Sequence, residues 1–193
     1  MALELARRCG PKAKVLVDTG HHLQGTNIEQ IVTWLLHCDA LGGFHFNDRK
    51  YADDDLTLGS IDPYQVFRIL SEIQTSTSPA VAGIAYMIDQ SHNLKGKMEA
   101  MVQTVVQAQE LFAKAALVDY EKLAGLQQSC DLVAAEETFR TAFWTDVRPV
   151  VKEWRQARKL PVEPLETLKE SGYVEKISAE RGARNANSVS SYA

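Results

Sequence analysis

Three short apolar runs, residues 14–18 (KVLVD), 43–46 (GFHF) and 82–89 (AGIAYMID), each end on or beside a carboxylate or an imidazole, and helical patterns separate them. Runs of this length with little polar alternation read as strands covered on both faces, and parallel strands need a crossover, usually a helix, between them. The first crossover is marked by Asn27 as an N-cap, followed by Ile28, Ile31, Val32, Leu35 and Leu36 at helical spacing to about residue 40, with Gly42 and Gly43 expected to end it. The second opens at Asp62-Pro63, a cap followed by an N1 proline, and turns Val66, Phe67, Ile69, Leu70 and Ile73 inward to about Gln74. A Ser/Thr/Pro-rich loop over residues 75–79 precedes the third strand. The class is therefore α/β, three strand-then-helix units in succession.

The polar residues sharpen this reading. Asp18, His45 and Asp89 sit at the carboxyl ends of the three runs, where closed (β/α)₈ barrels and open doubly wound sheets alike gather their chemistry. No G-x-G-x-x-G follows any strand, which weighs against dinucleotide binding. The loop after the second strand adds Asp53 and Asp55, which in extended backbone leave one face together while Asp54 turns away. His21 follows the first strand end. Each of these residues has an ordinary explanation: a helix cap for Asp18 or Asp89, a satisfied core imidazole for His45, a solvated acidic turn for residues 53–55. Gathered together, several carboxylates need a cation, and carboxylates beside imidazoles favour a divalent first-row metal. Asp18, His21, His45, Asp53, Asp55 and Asp89 are thus candidate ligands of a two-metal site, whereas His22, His37 and His92 read as surface residues.

From Leu94 the chain becomes helical. A long helix is expected over residues 97–118, with Met98, Met101, Val102, Val105, Leu111 and Phe112 apolar, and the pattern runs on to about Leu126. A second, over residues 131–158, should be kinked or split at Pro149, with Phe139 and Phe143 on its apolar side, and a shorter piece covers 165–171. The organisation expected is a partial barrel over residues 1–96, a helical extension over 97–180, and a polar tail over 181–193. The net charge of −4 offers no footprint for nucleic acid or an anionic membrane, and no apolar stretch is long enough to span a bilayer. Cys9, Cys38 and Cys130 lack C-x-x-C spacing, which fits a reducing cytoplasm better than a disulfide framework or zinc knuckle.

The segments VLVDTGHH (residues 15–22), GFHFNDRKYADDDLTLGSIDP (43–63) and MIDQSHN (87–93) resemble the L-rhamnose isomerases of the broad-specificity sugar isomerase type, within the xylose-isomerase-like TIM barrels. The resemblance implies that the three strands are the sixth to eighth of a (β/α)₈ barrel and are followed by C-terminal helices. It also implies a metal-dependent aldose–ketose isomerase acting on L-rhamnose or a similar sugar, in a cytoplasmic homotetramer. By the same resemblance Asp18, His45 and Asp89 hold the structural metal, through which they bind substrate, and His21, Asp53 and Asp55 hold the catalytic one. Asp53 and His21 are the catalytic pair, with a water near Asp53 as the base. The ion implied is Mn²⁺, with Zn²⁺, Co²⁺ or Mg²⁺ as substitutes, and hydride-shift and ene-diol routes both fit. A carboxylate that completes the structural site and a nearby lysine have no matching position here. The expectation is therefore a C-terminal fragment, inactive by itself and completed by a separate N-terminal half. A non-catalytic metal-binding or assembly module, a related barrel epimerase and a metal-dependent hydrolase are the alternatives.

Overall fold

A computed structural model of the chain describes residues 1–52, 54–90 and 94–181. A first helix, α1 (Ala2–Cys9), ends at Gly10 and leads into β1 (Val15–Asp18). Helix α2 (Ile28–His37), β2 (Leu41–Phe46), α3 (Pro63–Thr75), a 3-10 turn (Pro79–Gly83) and β3 (Ala85–Ile88) follow. The strands form one parallel sheet in the order β1-β2-β3, so the chain is α/β with each crossover helical. Both predicted caps form: Asn27 accepts from Gln30 N at 2.8 Å and Asp62 from Gln65 N at 2.9 Å.

The pleat separates two faces. Val17, Phe44 and Phe46 are buried on the helix side, where Phe44 stacks on Phe46 with centroids 5.1 Å apart, and Tyr86 meets Phe112 edge-on at 5.5 Å. Leu16, Asp18, Gly43, His45, Ala85 and Met87 alternate with them and share the other face, as the register Leu16↔Gly43↔Ala85 and Asp18↔His45↔Met87 requires. That face is the more open one: Leu16 is 42% and Met87 40% exposed. The expectation of three buried strands therefore fails at the two edge strands, at residues 85–87 of β3 and at Leu16 of β1, while the central β2 is largely covered.

Gly42 and Gly43 do not end α2, as the sequence led us to expect, but lie inside β2. The turn is made instead by Asp39, at φ 49, whose carbonyl accepts from Lys14 Nζ. A Cβ on Gly43 would stand 2.8 Å from the Ala85 carbonyl oxygen, so the glycine is what lets β3 approach β2. Gly43→Ala is expected to cost about 1–3 kcal/mol in urea denaturation, as overpacking against backbone generally does. Gly83→Ala, where a Cβ would meet nothing within 4 Å, should stay within about 0.5 kcal/mol of the parent. Equal stabilities for the two variants would contradict the close-approach explanation.

Six further helices follow: α4 (Lys97–Ala116), α5 (Tyr120–Gln128), α6 (Leu132–Trp144), α7 (Arg148–Ala157), α8 (Pro164–Glu170) and α9 (Tyr173–Arg181). The pattern expected to run on from α4 breaks at residues 117–119, where Asp119 caps α5 by accepting from Lys122 N at 3.0 Å. The long helix expected over 131–158 is split, with Pro149 in the first turn of α7. Helix α9 was not anticipated as a separate element, and residues 182–193 of the expected tail lie outside the described residues. In α4 the buried positions are Ala100, Thr104, Leu111 and Ala115, while Met98, Met101 and Val105 of the expected apolar stripe are 40–44% exposed. Small residues face the interior because α4 lies close along α3. Phe67 of α3, fully buried, centres the core between sheet and C-terminal helices, with ring contacts to Tyr64 (5.7 Å), Phe139 (5.7 Å) and Phe143 (5.4 Å). No helix among the described residues is long and apolar enough to cross a membrane.

Candidate metal centre

The register of the sheet assembles the site. Asp18 and His45 are paired across β1 and β2, and Asp89 follows β3 on the same face, its N–H donating to the Phe46 carbonyl at 3.1 Å. His45 Nδ1 lies 3.4 Å from Asp18 Oδ2 and 3.1 Å from Asp89 Oδ2. Among the described residues Asp18, His45 and Asp89 form a group whose ligand atoms all fall within 4.8 Å of one another. Donors on one octahedral ion at about 2.1 Å stand about 3 Å apart, so two carboxylate oxygens and an imidazole nitrogen at these separations fit a divalent cation such as Mn²⁺.

Asp18 uses its two oxygens differently. Oδ1 accepts from Gly20 N (2.9 Å), His21 N (3.2 Å) and Asn47 Nδ2 (3.0 Å), whereas Oδ2 faces His45 and, at 3.9 Å, His21 Nδ1. The strand ends are laced behind it. Thr19, buried, accepts from Asn47 N at 3.1 Å and donates to the Asn47 carbonyl at 2.7 Å, and its own N–H donates to the His45 carbonyl at 3.0 Å.

His21, half-exposed, reaches beyond this group: its Nε2 is 3.5 Å from Asp55 Oδ1. The structure therefore brings five of the six sequence-derived candidates together, with His21 between the two sets, while Asp53 lies outside the described residues. Of the extended backbone expected over residues 53–55, Asp53 lies outside the described residues, and Asp55 is not extended. Asp55 has φ 43, in the left-handed region, and the Asp54 carboxylate turns back to accept from Lys50 N and Tyr51 N, both at 2.7 Å. Those backbone donors, Tyr51 first, hold the Asp54 pKa below the ordinary carboxylate value.

The loop is also fastened at its base. Asp48, 8% exposed, pairs with Leu56 in an antiparallel bridge, and its Oδ2 accepts from Ile61 N (2.8 Å) and Asp62 N (3.0 Å). Sequence reasoning missed Thr19, Asn47 and Asp48. Their signal was an Asn-Asp pair directly after an apolar strand, a place where buried polar side chains must satisfy the departing backbone. Arg49 clamps the other loop, donating from Nη1 to the Thr19 carbonyl and from Nη2 to the Leu23 carbonyl, both at 2.8 Å. A cleft of about 760 Å³ lined by His21, His22, Gln24, Arg49 and Tyr51 adjoins the site. Burial lowers the His22 pKa and the Arg49 charge lowers it further. His37 is exposed on α2 beside Trp34, and His92 lies outside the described residues.

No family model matches the chain. It is similar to a probable sugar isomerase of Rhizobium meliloti (strain 1021), 42% identical over 181 residues that make up 93% of this chain and 42% of the relative. A probable sugar isomerase of Mesorhizobium japonicum is 41% identical over 181 residues, again 93% of this chain and 42% of that protein. The chain thus spans about two-fifths of the length of the curated relatives it matches.

Proposed function

We propose that this chain carries the metal-binding portion of a sugar isomerase, of the L-rhamnose-isomerase-like aldose–ketose type, built on the last three units of a (β/α)₈ barrel. The observation that carries the proposal is the convergence of Asp18, His45 and Asp89 at the carboxyl ends of three adjacent parallel strands. Similarity to two probable sugar isomerases supports the reaction class. The barrel reading is supported by the open sheet face, whose side chains would point into the interior of a completed barrel. It is supported too by an apolar cavity of about 680 Å³ on the helix side of the edge strand β3, lined by Phe46, Tyr86, Phe112, Val150 and Trp154, which a further helix of a barrel's outer layer would cover.

In this reading Asp18, His45 and Asp89 hold one cation, against which the sugar hydroxyls are placed, and His21 and Asp55, together with Asp53, hold a second. Mn²⁺ is the ion proposed, with Zn²⁺, Co²⁺ or Mg²⁺ as substitutes. When bound, such cations supply Lewis acidity at the oxygens of the two carbons between which the carbonyl moves. The chain's own residues do the positioning. Asn47 and the amides of Gly20 and His21 orient Asp18, and Asp48 fixes the loop that bears Asp55. His21 and Asp53 are the residues proposed to serve movement of the hydroxyl proton, with a water held near Asp53 as the base. The reading extends to a cytoplasmic enzyme that works as a homo-oligomer, a homotetramer in the resembled family, without nucleic-acid or membrane partners.

Mn²⁺ titration by calorimetry, followed by an L-rhamnose to L-rhamnulose assay, tests this. The chain alone should take up Mn²⁺ yet show no turnover, because misplacement of reacting groups by about 1 Å already costs on the order of a hundredfold and one wall of the site is open to water. Adding a polypeptide that supplies the remaining strand-and-helix units should restore turnover. Absence of Mn²⁺ uptake would overturn the metal reading, and turnover by the chain alone would overturn the partial-barrel reading.

A further inference from the structure

We infer that Asn47 is a positioning residue that holds Asp18 as a ligand through one oxygen only, and that Gly20 is the residue that makes room for it. The inference rests on the metal reading above and concerns which cation the site accepts. Asn47 is 1% exposed and its Nδ2 donates to Asp18 Oδ1 at 3.0 Å. Its other amide atom, Oδ1, is buried without a hydrogen-bond partner among the described residues. An unpaired buried acceptor of that kind costs about 1–3 kcal/mol, so the side chain is not held in this orientation for its own satisfaction. Turning the amide over would set its oxygen against Asp18 Oδ1, acceptor against acceptor. The carboxylate therefore dictates the orientation, and the amide accepts an orphaned oxygen in return.

The result at Asp18 is asymmetric. With three N–H donors, from Gly20, His21 and Asn47, Oδ1 is fully engaged, and Oδ2 is left as the oxygen that faces His45 and His21. A carboxylate that lends one oxygen suits a small octahedral cation such as Mn²⁺ or Mg²⁺. One that lends both raises the coordination number and suits Ca²⁺, which takes six to eight oxygens. Asn47 thus acts on cation choice through Asp18 without touching the cation. Gly20 belongs to the same device. A Cβ there would stand 2.0 Å from Asn47 Oδ1 and 2.8 Å from its Cγ, so any side chain at position 20 drives the amide away from Asp18. The backbone ties between Asn47 and Thr19 do not involve the amide and survive its loss.

The test measures Mn²⁺ and Ca²⁺ affinities of the full chain by calorimetry for the parent, Asn47→Ala, Gly20→Ala and the double variant, with folding followed by circular dichroism. Loss of an outer hydrogen bond to a ligand generally costs about 10- to 100-fold in metal affinity. Asn47→Ala is expected to weaken Mn²⁺ about tenfold and Ca²⁺ clearly less, moving the ratio toward Ca²⁺. Gly20→Ala should reproduce that shift, and the double variant should add little, because the methyl at position 20 then has no amide to displace. An unchanged Mn²⁺ to Ca²⁺ ratio in folded Asn47→Ala, or additive losses in the double variant, would show that Asn47 merely fills space. Failure of the parent to take up Mn²⁺ would remove the metal reading and this inference with it.

Discussion

Asp18→Asn is expected to remove Mn²⁺ uptake at the Asp18, His45 and Asp89 group, weakening that binding at least a hundredfold, or about 3 kcal/mol and more, while leaving the fold nearly as stable as the parent. The two halves of that expectation come from the two oxygens of Asp18. An asparagine whose amide oxygen replaces Oδ1 still accepts from the Gly20 and His21 amides, so the turn after β1 keeps its hydrogen bonds. Its amide nitrogen then occupies the position of Oδ2, between His45 Nδ1 and His21 Nδ1, and offers hydrogens where the cation needs a lone pair. Asp18→Ala would confound the result, since it also strips three N–H groups of their acceptor. Calorimetric titration with Mn²⁺ and thermal melting of the same samples provide the comparison. Parent-like affinity in Asp18→Asn would mean that the convergence of Asp18, His45 and Asp89 is not a metal site.

Phe67→Ala should have the largest effect on stability, about 3–5 kcal/mol, of the order seen when fully buried aromatic rings are truncated. The ring carries more than its own area. It joins the sheet-bearing half of the chain to α6 through Phe139 and Phe143, with edge-on or tilted geometries that add to simple burial. Domains of ordinary stability hold only about 5–15 kcal/mol in total, so the variant should unfold at much lower urea concentration and lose its near-ultraviolet signal. Met98→Ala, removing a side chain 43% exposed on α4, is the matched control and should be close to neutral. A Phe67→Ala midpoint no different from that of Met98→Ala would show that the helices after Leu94 do not share the core of the sheet.

Features of the fold decided over a few residues were legible in the sequence. The caps Asn27 and Asp62, the inward set Val66, Phe67, Ile69, Leu70 and Ile73, and the break at Pro149 depend on local spacing and on backbone chemistry that any context preserves. The polar strand ends were legible for the same reason, because a carboxylate or imidazole closing an apolar run stands out against its neighbours. Features decided by what lies across a gap were not. Gly42 and Gly43 looked like a helix stop, yet the Ala85 carbonyl and the Lys14 side chain account for them. The Met98, Met101 and Val105 stripe looked like a buried face, yet packing along α3 turns small residues inward instead. Asn47 and Asp48 carry no periodic signal at all, since their partners are 29 and 13 residues away in the chain.

In the proposed metal site, the fastening of Asp48 to Ile61 and Asp62 bears on how fast a cation would enter, as well as on where it would rest. Bringing together the ends of a free loop of this length costs about 2 kcal/mol of chain entropy. Here that cost is met when the protein folds, by hydrogen bonds that involve no cation. On the metal reading proposed above, a cation arriving at Asp55 and His21 would meet loop ends already joined, and its entry would be timed by the loss of its own water shell rather than by a search of the chain for its ligands.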